Sequence, residues 1–248
     1  STITQTAAGL IRTGTLALAA DGAIDLTQAA NEVASLGSVS FTEGFGYRSA
    51  SGVTIAGALA PADAGNADVT IIADTGDILL QAAIGAGTGT VRLDATTGDI
   101  LQDAAGAAIT AGRLELNAGG DALLDPTLAA DRNAVAVLGT STVGGTLAFN
   151  AAGDLALDGS IGQSAPGGDT RIEAGGTLTL NAGAVLGFDN ITLVAPGQMT
   201  LRGTVGVDQS VPVSMVRLGA GAGITQEVTG RIVADSFGIR AIGDVLLT

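Results

Sequence analysis

The chain contains no cysteine, no histidine and no tryptophan, and it has a single tyrosine, five phenylalanines and five prolines. All ten of its Lys+Arg residues are arginine, so lysine is absent as well. These absences remove whole chemistries. Without His or Cys there is no Ser-His-Asp or Cys-His nucleophile system, no thiolate redox centre and no conventional zinc site. Without lysine there is neither a P-loop lysine nor a Schiff-base lysine. Carboxylates, arginine and hydroxyls are what remains for catalysis. No run of 18 apolar residues occurs, so no membrane-spanning helix is expected. A membrane β-barrel would carry aromatic girdles, for which 2% aromatics is too little. The start, Ser1 to Leu10, has neither the basic region nor the apolar stretch of a signal peptide.

What the chain does have is glycine, small aliphatics and acid. Glycine contributes 39 of 248 residues, about twice the usual share of roughly 7%. Spread through the chain, it would interrupt helices repeatedly at about 1 kcal/mol each, which excludes a long-helix protein. The glycines lack the three-residue period of collagen, and a hydrophobic content of 46% argues against disorder. A net charge of -14 opposes binding to nucleic acid and to anionic membrane surfaces. The absence of cysteine fits an exported protein that does not use disulfides.

Internal repetition carries the architecture. Three segments align: Ile3-Thr4-Gln5 through Leu26, Ile100-Leu101-Gln102 through Leu124, and Ile224-Thr225-Gln226 through Leu247. Each runs Ile-x-Gln, a Gly/Ala-rich bend, an apolar alternation, a Gly-containing turn and a second alternation. A shorter unit recurs more often, an alternating strand followed eight or nine residues later by another: Val69 to Ile78, Val91 to Ile100, Leu114 to Leu123, Ile191 to Met199, Val216 to Ile224 and Phe237 to Val245. Between its halves lies a turn, often Gly-Asp, as at Gly76-Asp77, Gly98-Asp99, Gly120-Asp121, Gly153-Asp154 and Gly243-Asp244. Glycine there is expected to supply positive φ, and Asp to bond its own turn backbone. Period-two alternation between turn residues predicts strands. The stretch Thr27 to Gly37, the one that could pass for a helix, is read as a further strand begun after Asn31, by analogy with Asn133.

Equivalent strands recur every 20 to 33 residues, too short for a propeller blade and suited to one solenoid coil. The expectation is one all-β domain over residues 1–248, a parallel β-helix of about ten coils of roughly 20–30 residues, with turn insertions near 41–51 and 125–133. Stacked at about 4.8 Å per coil, it makes a rod on the order of 50 Å long. The opening without Met and the closing apolar Val245-Leu246-Leu247-Thr248 read as a segment of a longer array. Inward positions fill with Val, Ile, Leu and Ala, leaving little room for Trp or Tyr. Outward positions such as Thr15, Ala17, Thr70, Arg92, Glu115, Thr177 and Thr179 make a weakly charged flank. Gln5, Gln102, Gln163 and Gln226 recur at similar places and are expected to form an inward or corner ladder of amides.

The segments Ser1-Thr2-Ile3-Thr4-Gln5-Thr6, Ala29-Ala30-Asn31-Glu32-Val33, Ala118-Gly119-Gly120-Asp121 and Gly175-Gly176-Thr177-Leu178-Thr179-Leu180-Asn181-Ala182-Gly183 resemble the filamentous-haemagglutinin repeats of large bacterial two-partner-secreted exoproteins. That resemblance covers essentially the whole chain. It implies a right-handed β-helix, export through an outer-membrane secretion partner, and display on or shedding from a Gram-negative cell. A host or neighbouring-cell receptor or glycan is the other partner it brings into view, while the open end strands of a solenoid make end-to-end self-association a separate expectation. It transfers no catalytic residue, because the repeats carry none.

Other motifs read as structure. The acids sit mostly in Gly-Asp turns, so a polysaccharide-degrading β-helix is the weaker reading. Asp169-Thr170-Arg171 and Gly230-Arg231-Ile232 are thin support for a glycan groove. Gly119-Gly120-Asp121 and Gly167-Gly168-Asp169 lack the tandem copies of a calcium-binding nonapeptide repeat. The runs at residues 85–89 and 219–223 precede no helix and are turns, not phosphate loops. Asn190-Ile191-Thr192 is a formal glycosylation acceptor of the kind chance supplies. No catalytic, cofactor-binding or metal residue is expected, and no enzyme activity. The expected role is a rigid structural or adhesive stalk segment of a secreted or cell-surface adhesin, with a subunit of a self-assembling extracellular filament or surface layer as the alternative.

Overall fold

The computed structural model describes residues 1–62, 65–125, 132–206 and 215–248. Among them are 28 strands and no helix, and all of the strands belong to one continuous parallel arrangement. The chain is a β-solenoid of about ten turns. Parallel strands need a crossover, and here each crossover is the rest of the coil, so every strand stacks on its counterpart about twenty residues earlier.

In the first half a coil has one long strand and two short ones. The long strands Gly44–Ser49, Asp68–Ala73 and Thr90–Ala95, followed by residues 113–118, stack on a first face. Val53–Ile55, Ile78–Leu80, Ile100–Gln102 and Ala122–Leu124 form a second face. Leu59–Pro61, Ile84–Gly85 and the start of Ile109–Ala118 form a third. Alternation sends every second side chain inward, giving vertical rows such as Phe45, Val69, Val91, Leu114 and Leu138, all buried. Beside it runs Tyr47, Ile71, Leu93 and Leu116. Like residues stack on like, which is why the same small aliphatic set recurs along the chain. The outward residues Thr15, Ala17, Arg92 and Thr177 are exposed, as expected.

The stretch expected as a turn insertion at 41–51 is instead a regular rung, because Gly44–Ser49 pairs on both sides. Its aromatic residues concealed the alternation Phe45-x-Tyr47 that places both rings inside. Of the second expected insertion, residues 126–131 lie outside the described residues. The expected exclusion of Tyr from the interior also fails: Tyr47 is fully buried, stacked near Phe45, which in turn stacks on Phe41.

The architecture changes at two places by the same device. The strand Ile24–Phe41 occupies several faces. In the coil above it, residues 24–26 and Asn31 are matched by the single straight strand Gly44–Ser49 (Leu26 to Tyr47, Asn31 to Ser49), so a corner is flattened. The other end of the strand does the reverse. Leu16 and Leu18 pair with Leu36 and Val39, a bulge of one residue, and Leu36 and Val39 then pair with Ile55 and Leu59 on two separate strands. At residues 122–163 the event recurs: Leu124 pairs with Phe149 and Asn133 with Ala151, while Leu114 and Leu116 pair with Leu138 and Ser141 and onward to Leu157 and Ile161. Asn31 and Asn133, Gly37 and Gly139, Tyr47 and Phe149, and Gly57 and Gly159 are each 102 residues apart (133 minus 31). One face merges with its neighbour while another splits. From there the long strands Asp169–Glu173, Asn190–Ala195, Met215–Ala220 and Phe237–Ala241 stack on what was the second face.

Candidate functional site: the amide clamps and the coil surface

The merging corner would leave backbone groups without partners, and a buried asparagine supplies them. Asn31 Oδ1 accepts from Ile11 N–H at 3.0 Å and from Gln5 Nε2 at 2.5 Å. Its Nδ2 donates to the carbonyls of Leu26 (3.0 Å), Ala29 (3.2 Å) and Arg48 (3.1 Å) and toward Gln5 Oε1 (3.3 Å). Asn133 repeats the pattern: Oδ1 accepts from Ile109 N–H at 2.8 Å, and Nδ2 donates to Gln102 Oε1 (3.0 Å), Leu124 O (3.1 Å) and Asn150 O (3.4 Å). Both asparagines are 0% exposed. One amide thus reaches three successive coils: the one before through Gln and Ile, its own, and the one after. Asn is the residue type that fits, since it both donates twice and accepts in a dry site where an unpaired amide or carbonyl is costly. A strand after the asparagine was legible in the sequence and begins at Ala134 in the second copy, but in the first the strand runs from Ile24 through Asn31 without the expected turn, and the side chain's role as a three-coil clamp was not legible.

The glutamines do not form the expected ladder. Gln5, Gln102 and Gln226 lie coils apart, and each closes its own corner by donating to a carbonyl four or five residues on: Gly9 at 2.5 Å, Ala107 at 3.2 Å and Gly230 at 2.9 Å. Gln163 closes its corner in the other sense, accepting from Gly168 N–H at 2.9 Å and donating to Asp189 at 2.7 Å. Glutamines about 60 to 100 residues apart in the chain, three or more coils from one another, cannot bring like amides into adjacent coils.

The Gly-Asp turns also work differently from expectation. Asp77 accepts from the backbone N–H of Asp99 (2.8 Å), Asp99 from that of Asp121 (2.7 Å) and Asp121 from that of Thr146 (2.7 Å), so each carboxylate staples its turn to the next coil rather than to itself. Asp154 does the same to Thr177 N–H at 2.7 Å, and that hydrogen bond holds its carboxyl below the ordinary value. Among the turn glycines only Gly76 has positive φ (78°). Gly98 is required for another reason: a Cβ there would overlap the carbonyl of Gly76 in the coil below. Stacked turns approach too closely for a side chain.

On the flank, arginines pair with acids across and along coils: Arg12 with Glu32, Arg48 with Asp74, Arg92 with Asp94, Arg113 with both Glu115 and Asp158, Arg202 with Glu227, and Arg132 and Arg171 with Glu173. Arg113 reaches Asp158 at 2.9 Å and occupies the space that Gly139 leaves at the bulge. Hydrogen bonding to Arg113 holds the Asp158 carboxyl down, and Asp158 in turn raises Arg113. A cleft of about 200 Å³ opens on this flank between Arg92, Glu115, Asn117, Thr140 and Thr142. Asp169 accepts from Asn190 Nδ2 at 2.7 Å, so this acid and the sequon asparagine form a surface rung. Asp169 and Arg171 project into an ion-paired flank rather than converging with Arg231, which lies on a different stack. Among the described residues no group of three or more acids is arranged to hold a metal ion.

Burial pushes the Tyr47 phenol up from its ordinary value, against weaker opposing effects of Ser49 and the Val33 backbone, and its hydroxyl makes no hydrogen bond among the described residues. It sits inside the core and offers no access to a substrate.

This geometry defines a class, a parallel β-solenoid whose internally repeated features are joints between coils. A family model described as repeats of unknown function (DUF5649) matches residues 1–42 and 124–198. The chain is similar to that family there, and each matched segment contains one clamp asparagine and its bulge glycine, Asn31 with Gly37 and Asn133 with Gly139. No curated protein and no solved structure matches the chain.

Proposed function

We propose that this chain is a rigid structural segment of an exported bacterial surface protein, a stalk whose work is to hold length and present a flank to its surroundings. The observation that carries the reading is the parallel stacking of all 28 described strands, with buried aliphatic rows running from Ala20 to Ile224. Force along such a rod loads many backbone hydrogen bonds in parallel, and the dry interior of the described coils resists entry by proteases. The resemblance of its repeats to filamentous-haemagglutinin repeats supports export through an outer-membrane partner and adhesion to a receptor or glycan. A flank whose arginines are largely neutralised by carboxylates suits polar, reversible contact better than capture of a polyanion.

Immunogold electron microscopy of intact source cells with antibodies to the chain, together with a blot for the size of the native polypeptide, tests this. Labelled surface fibrils and a band far above 23.9 kDa are expected. Label confined to the cell interior overturns it. A band near that mass within ordered filaments would replace the stalk by a polymerising subunit.

A further inference from the structure

The bulge at each joint also shapes the surface. At the first joint Leu16 and Leu18 pair with Leu36 and Val39, so Gly37 and Ser38 together oppose Ala17. At the second, Leu114 and Leu116 pair with Leu138 and Ser141, so Gly139 and Thr140 oppose Glu115. A depression lies over the bulge in both places, wide and shallow at the first and narrower at the second. Extra backbone in one strand re-aims its outward side chains away from those of its neighbour, which is why one device opens the surface twice. The linings differ. Ala17, Ala19, Ser38 and Ser40 at the first joint stand where Glu115, Asn117, Thr140 and Thr142 stand at the second. Arg92, from the preceding coil, completes the second cleft, and it stacks directly on Glu115 without pairing with it. Each is drawn aside by another partner: Arg92 by Asp94 at 3.2 Å, the longest ion pair among the described residues, and Glu115 by Arg113 at 2.9 Å. Asn117 donates to Asp94 at 2.8 Å, while its Oδ1 and the exposed hydroxyls of Thr140 and Thr142 have no hydrogen bond among the described residues.

We infer that the cleft at the second joint binds a single neutral sugar residue. Its separated cation and carboxylate place a donor on one lip and an acceptor on the other. A hydroxyl both donates and accepts, so neighbouring hydroxyls of one ring satisfy Arg92 and Glu115 together, and Asn117 Oδ1, Thr140 and Thr142 meet others. An anion in the cleft would face Glu115 and Asp94, a cation would face Arg92, and an apolar group would strip water from polar side chains and return no hydrogen bond. The volume of about 200 Å³ limits the occupant to one ring, since pockets for drug-sized ligands hold roughly 300–1,000 Å³. No aromatic side chain lines the cleft, so a dissociation constant on the order of a millimolar is expected. The inference deepens the adhesive side of the proposed function and rests on it only for where the sugar is met. Binding by the isolated chain and display on the cell are read by different experiments, and either can fail alone.

The test is backbone NMR of the full chain titrated with the methyl glycosides of glucose, galactose, mannose and N-acetylglucosamine, each to about 50 mM, well above the expected constant. At least one of them is expected to shift the amides of residues 92–94, 115–117 and 140–142 saturably. Methyl galacturonate, as an anion, and glycine, as a zwitterion, should bind more weakly. Asn117→Ala, which copies Ala19 of the first joint, and Thr142→Val should each weaken the sugar about threefold to tenfold, with the spectrum outside the cleft unchanged. Asn190→Ala, on another stack, should leave binding as in the parent. If either cleft variant misfolds, the other decides. The inference is overturned if none of the four glycosides shifts these amides, if galacturonate or glycine binds as tightly as the best of them, or if every folded cleft variant binds like the parent.

Discussion

Replacement of Asn133 by alanine should open the solenoid locally at the second joint. The side chain makes three well-formed bonds in a site with no exposure, to Ile109 N–H, Gln102 Oε1 and Leu124 O. An orphaned buried group costs about 1–3 kcal/mol. The Ile109 amide has no second partner and belongs at the upper end of that range, whereas the carbonyl of Leu124 and the Gln102 oxygen can be partly recovered by an entering water. The sum is about 3–5 kcal/mol. A stack of coils does not unfold as a single two-state unit, so a global melt would dilute the effect. Hydrogen exchange with mass spectrometry, on peptides covering residues 103–112 and 145–154, reads it in place. Exchange there should accelerate by roughly two to three and a half decades, at about 1.4 kcal/mol per decade, while residues 68–80 stay protected. Asn133→Asp should be no milder, because it keeps the acceptor but loses both donors and buries a charge. Asn190→Ala, which removes only a surface bond to Asp169, serves as the control. Matching exchange in Asn133→Ala and Asn190→Ala would refute the clamp.

Three further outcomes follow from the same physics. Gly98→Ala, whose new methyl would overlap the Gly76 carbonyl, should cost about 1–3 kcal/mol in denaturant unfolding, whereas Gly14→Ala, which meets nothing within 4 Å, should be near neutral; equal effects would sink the close-stacking explanation. Leu116→Asp, at a position 3% exposed in an aliphatic row, should cost several kcal/mol, and a thermal melt unchanged from wild type would contradict its inward placement. The carboxyls of Asp154 and Asp158 are held down in the folded state, by Thr177 and Arg113, so their stabilisation is complete above the ordinary carboxylate value of about 3.9 and is lost as pH falls through the lower folded value. The gap in melting temperature between wild type and Asp158→Ala should therefore stay constant above about pH 5 and close below about pH 4; a gap that widened on acidification would reverse the sign of that linkage.

Coil period, strand identity and the inward rows were readable in the chain because alternation and turn glycines are local, and each coil repeats them against the same neighbour. The rows Val69, Val91, Leu114 and Ile78, Ile100 could be written down before any coordinates. The absence of His, Cys and Lys likewise bounded the chemistry, since no fold can supply a missing side chain. The 41–51 rung hides its strand for a local reason, its glycines and aromatics masking a two-residue period.

What the tertiary structure alone decided were relations between coils. The spacing of Asn31 and Asn133 was visible, but whether an amide faces water or three stacked backbones depends on a corner merging in the coil above. The carboxylate of a Gly-Asp turn has two amides within reach, its own and that of the next coil, and only the stacking distance selects the latter. The change of face at each asparagine leaves the order of long and short strands along the chain untouched, so no one-dimensional pattern reports it. Local periodicity determined the coil. The register between coils, set by packing and by hydrogen bonds across about twenty residues of chain, determined where the joints lie.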